Sequence, residues 1–147
     1  MKQLFITCVF TMLFLLMACT EDHSFTLDEE RQVIIVHKLL RLYIESDSLQ
    51  TEENQMYRVC KKNEYDTKTI SILRLQHKCP DLSIEIMNNH GIYKETQKVN
   101  LRPNRKYTIT HSGMGGRVYI QEFFTTDSKG TLRVDSSRKR KVGYRDK

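Results

Sequence analysis

The sequence predicts a mainly β chain folded as a small antiparallel β-sandwich, and three observations carry that prediction. Turn-forming clusters recur about every nine to fourteen residues, at "KCPDL" (78–82), "NNHG" (88–91), "RPNRK" (102–106), "HSGMGG" (111–116) and "TDSKG" (126–130). Between them lie short runs with a period of two: "LSIEI" sets Leu82, Ile84 and Ile86 on one face and Ser83 and Glu85 on the other. The same runs are rich in β-branched and aromatic residues, as in "KYTIT" and "RVYIQEFF", which suit a half-buried pleated surface.

The 147 residues set the scale. A chain of this length with 39% hydrophobic residues, 29% charged residues and no Trp builds one domain with a modest core. Four segments are expected: a removable leader over 1–18, a polar tether over 19–26, one β-rich domain over 27–135, and a basic flexible tail over 136–147. The net charge of +6 is unevenly placed, because residues 19–137 hold 17 basic and 17 acidic side chains. Beyond the leader, the excess belongs to the tail alone.

The leader has Lys2 followed by fifteen uncharged, mostly apolar residues, "LFITCVFTMLFLLMA". As a helix these would reach only about 22 Å, short of the roughly 30 Å hydrocarbon core of a bilayer. An export signal fits them better than a permanent span. Leu16, Met17, Ala18 and Cys19 close the run. This arrangement resembles the bacterial lipoprotein signal, in which Leu and small residues precede an obligatory Cys. The resemblance covers about nineteen residues. It implies cleavage before Cys19, diacylglycerol on its sulfur and acylation of the new amino group, so the protein would be held in the cell envelope without crossing a membrane. Glu21 and Asp22 resemble the short acidic signals that direct such proteins to the outer membrane of some diderm bacteria.

The next segment, "TLDEERQVIIVHKLLRLYIES", supports two readings. Thr26 and Glu29 have capping-box spacing, acids fill 28–30, and Val33, Val36, Leu40 and Tyr43 share a helical face, which predicts one N-terminal helix over 27–45. The β-branched "VIIV" favours a strand instead, with Ile34, Val36, Leu40, Leu42 and Ile44 on one face.

Beyond residue 55, "MYRVC", "TISILRLQ", "LSIEI", "IYKETQKVNL", "KYTIT", "RVYIQEFF" and "TLRV" give about seven strands. Short strands with this turn spacing predict a sandwich immunoglobulin-like in general shape. Cys60 and Cys79 flank the early strands, and export would permit a disulfide between them. Closing a loop of that size would stabilise the fold by on the order of 3 kcal/mol.

Enzymatic motifs are sparse. The sequence has no phosphate-binding loop, dinucleotide fingerprint or calcium loop, and its five histidines form no H-x-x-x-H pair. Eighteen residues separate Cys60 from Cys79, unlike the close cysteine pairs of zinc modules, so neither metal nor cofactor is expected. "HSGMGG" sets His111 and Ser112 before three glycines, the one stretch that a small envelope hydrolase could use. A nucleophile elbow needs glycines on both sides of the Ser, so a hairpin loop explains the stretch better.

Arg138, Lys139, Arg140 and Lys141 form a cationic run that could contact an anionic surface such as lipid phosphates. An exported address argues against nucleic acid. The expected function is a non-catalytic binding or structural module, tied to the membrane by its lipid and meeting a protein or glycan partner in the envelope.

Overall fold

The computed structural model describes residues 24–47, 55–63, 65–87, 91, 93–112 and 118–144. Cys19 and its flanking signal lie outside them, as do residues 113–117 after Ser112. Among the described residues, eleven strands form two antiparallel sheets. They are β1 (Phe25–Asp28), β2 (Val33–His37), β3 (Arg41–Ser46), β4 (Met56–Lys61), β5 (Ile70–Arg74), β6 (Leu82–Met87), β7 (Tyr93–Thr96), β8 (Lys106–Ser112), β9 (Val118–Thr126), β10 (Leu132–Val134) and β11 (Lys141–Tyr144). The smaller sheet has the order β1-β2-β5; the larger runs β10-β9-β8-β3-β4-β6-β7, with β11 also on β9. The expected antiparallel sandwich is thus present, with its strands divided three against eight.

The core follows from the pleat. Ile34, Val36 and Leu73 of the small sheet are buried with Leu42, Ile44, Tyr57, Val59, Ile84, Ile109 and Phe124 of the large one in a single cluster. Within it the Tyr107 and Phe124 rings stack at 5.0 Å, and their strands pair them directly opposite each other. Buried phenols need partners. Tyr107 Oη accepts from the Arg102 N–H at 2.9 Å, while Tyr57 Oη donates to the Asn100 carbonyl at 2.9 Å. Burial holds both hydroxyls above the ordinary tyrosine pKa.

The helix predicted over 27–45 is instead three strands. Asp28 Oδ1 accepts from the Arg31 N–H, turning the acidic run into a hairpin loop, and Gln32 closes that loop at φ 55°. "VIIV" then pairs on both sides, with β1 and β5, where β-branched side chains cost least. A second left-handed residue, Lys38 at φ 45°, separates β2 from β3. It shifts the apolar phase, so Leu39 is buried while Leu40 is exposed. Capping-box spacing was therefore a turn signal here.

Gln32 joins the two sheets. Its side-chain amide acts like an extra peptide group, accepting from the Leu132 N–H at 2.8 Å and donating to the Leu132 carbonyl at 3.2 Å. Glu29 adds to the junction by accepting from the Val134 N–H.

Candidate functional site

Besides Cys19, which lies outside the described residues, the sequence singled out three groups of residues, and the pleat separates two of them. His111 and Ser112 are consecutive on β8, so their side chains leave opposite faces of the large sheet. His111 lies in the core beside Phe25, with the rings edge to face at 6.5 Å, whereas Ser112 pairs with Arg41 and Tyr119 across the strands. A nucleophile and base need mutual hydrogen-bond reach, and this backbone directs the pair apart.

Cys60 and Cys79 are both free thiols. The expected disulfide is absent for the same reason. Tyr57 and Val59 of β4 point inward, so Cys60, one residue on, faces outward near Arg58 and Glu85. Cys79 belongs to the core cluster. The two sulfurs sit on opposite sides of the sheet. Burial pushes the Cys60 thiol up from its ordinary pKa, which lowers its thiolate content.

The basic run is built into the fold. Its last member opens β11, which pairs with β9 in the register Lys141↔Gln121 to Tyr144↔Val118. Arg138 donates to Asp47 at 2.9 Å and lies over the Phe123 ring at 4.9 Å; Lys141 approaches the same ring at 5.6 Å, and Arg140 covers Phe25 at 5.4 Å. Lys139 has no ion-pair or ring partner among the described residues. The segment assigned as a flexible tail is thus, through Tyr144, a turn and an edge strand.

One surface was not singled out from sequence. A groove of about 370 Å³ runs beside β5, between that strand, the end of β4 and the turn leading into β6. Its backbone geometry can be read from the register. Lys38 N–H donates to the Thr69 carbonyl and Leu75 N–H to the Gln32 carbonyl, so Thr69, Ser71, Leu73 and Leu75 direct their backbone groups toward β2. Ile70, Ile72 and Arg74 therefore direct theirs into the groove. At Arg74 that edge is closed: its N–H donates to Cys79 Sγ at 3.4 Å, and the thiol lies 3.6 Å from its carbonyl oxygen. At Ile70 and Ile72 no described group completes the pairing.

Side chains give this edge a mixed character. Ile70 and Ile72 are 49% and 43% exposed, a high value for isoleucine on a strand. Around them stand Lys61, Lys68, Arg74 and Lys78, against Asp66 and Asp81. Lys61 Nζ is engaged by the carbonyls of Asp66 and Lys68. Lys68, Arg74 and Lys78 have no ion-pair partner among the described residues. An adjoining depression shares Arg74 and Lys78 and adds Arg31, Val33 and His77. Sequence alone could have flagged the apolar outward residues of "TISILRLQ", whose alternation puts Ile70 and Ile72 opposite Leu73. Which of its edges stays uncovered depended on the sheet order.

No cluster of three or more His, Cys, Asp or Glu able to hold a metal occurs among the described residues. Fold and groove together define a small antiparallel β-sandwich with an open, cationic sheet edge. No protein-family model, curated protein or solved structure matches the chain.

Proposed function

We propose that this chain is a lipid-anchored protein of the bacterial cell envelope, held in the outer membrane through Cys19, whose sandwich serves as a non-catalytic binding module. The observation that carries the binding role is the β5 groove, where backbone unpaired among the described residues, exposed isoleucine and an excess of cations over carboxylates converge. Recognition surfaces combine these features: an apolar centre supplies driving force and charge supplies selectivity. The anchor rests on the lipobox-like Leu16–Cys19 and the acids behind it. Two or three acyl chains would hold the domain at a surface where an envelope partner can reach the groove.

Two measurements test this reading. Intact mass of the envelope-extracted protein should show a chain starting at Cys19 with added acyl mass, and Cys19→Ala should lose it; a mature chain beginning elsewhere or bearing a bare thiol overturns the anchor. A photocrosslinking residue at Lys68, introduced in living cells, should give adducts that the same residue at Glu95 on β7 does not. Equal or absent labelling at the two positions overturns the binding role.

A further inference from the structure

We infer that the β5 groove binds its partner by strand addition, taking an extended acidic segment in which carboxylates alternate with apolar residues. The inference rests on the binding reading above and specifies its chemistry.

Backbone geometry sets the mode. Ile70 and Ile72 each present one N–H and one C=O toward the groove, spaced as an incoming strand requires. Such an edge is a template for another chain unless charge, proline or a covering element blocks it. Here nothing described covers those two residues, and no proline lies in β5. Cys79 sets the limit of the site, because its sulfur already satisfies Arg74 and ends the free edge there.

Side-chain alternation sets the occupant. Residues of an added strand that share the outer face with Ile70 and Ile72 would meet exposed isoleucine, and Ile35 of β2 continues that face directly across from Ile72. Apolar residues belong there. The intervening residues would turn into the groove, which Lys68 and Lys78 line without ion-pair partners among the described residues. Carboxylates belong there, and a basic segment would be repelled. Strand addition thus divides the work as in other edge-binding modules: main-chain bonds give affinity, alternate side chains give selectivity.

The test uses the full processed chain in detergent and a synthetic probe, acetyl-Glu-Val-Glu-Val-Glu-amide, followed by NMR titration at millimolar concentration. Binding should shift and protect the Ile70 and Ile72 amides from hydrogen exchange while leaving those of Ser71 and Leu73, already bonded to β2, unchanged. The K68E/K78E variant should bind about tenfold more weakly, and rising salt should weaken the wild type. A probe N-methylated at its edge-facing amides keeps charge and side chains but cannot pair, and should also lose about tenfold. Equal binding of the N-methylated probe overturns strand addition while leaving a charged binding groove in place. Equal binding of acetyl-Lys-Val-Lys-Val-Lys-amide overturns the acidic selectivity. If no probe binds, yet Lys68-specific adducts form in cells, this inference fails and the binding-module reading stands.

Discussion

The two sheets end in edges treated in opposite ways. On the large sheet, β9 is nine residues long, and two strands cover its outer side in series: β10 against Phe124–Thr126 and β11 against Val118–Gln121. On the small sheet, no described residue covers Ile70 and Ile72 of β5. β10 and β11 thus cover one edge, while among the described residues the other stays open. Edge strands invite association unless shielded, and the contrast singles out β5 as the place where such association is used.

The largest effect should come from breaking the covered edge. Removing residues 138–147 deletes β11, the Arg138–Asp47 pair and both cations over Phe123. We expect a loss of about 3 kcal/mol, within the range for removing packed, hydrogen-bonded structure, together with concentration-dependent association through β9. Denaturant melts and sedimentation velocity check both; unchanged stability would mean that β11 shields nothing.

Gln32→Ala comes next. It leaves the Leu132 N–H and carbonyl without their side-chain partners and should cost about 1–3 kcal/mol in a thermal or urea melt. Ile72→Thr, at the open edge, should stay within about 0.5 kcal/mol of wild type. The same change should reduce binding of the acidic probe, so separate stability and titration measurements sharpen the contrast between an edge that holds the fold and one that serves recognition.

The smallest effect is pH-dependent. Glu122 lies inward on β9 opposite Ile109, and burial raises its pKa while nearby Arg140 opposes the rise. A carboxyl whose folded pKa is raised favours the protonated state. Its contribution is therefore most favourable below the ordinary Glu range and is lost as pH rises through the folded value. Glu122→Gln should stabilise the protein at neutral pH, and this advantage should vanish under acid; thermal melts across pH report it.

Local alternation made most of the large sheet legible. "LSIEI" and "KYTIT" placed Leu82, Ile84, Tyr107 and Ile109 inward, and all four are buried. The failures share a cause. Residues 27–45 looked helical because acidic turn residues mimic a helix start, and two left-handed residues, Gln32 and Lys38, could not be foreseen from composition. The Cys60–Cys79 pairing ignored the sheet face each residue would occupy. Basic residues 138–141 looked like a solvated appendage because cation–ring contacts and a pairing partner are tertiary facts. For the site, sequence could reveal apolar β5 but not which neighbour it would lack.

The bonds that join the two sheets span most of the described polypeptide: 100 residues between Gln32 and Leu132 and 105 between Glu29 and Val134. Contacts so distant in sequence form late and slowly, since loop closure must precede them. A chain emerging from the ribosome cannot join the two sheets until residues 132–134 are available.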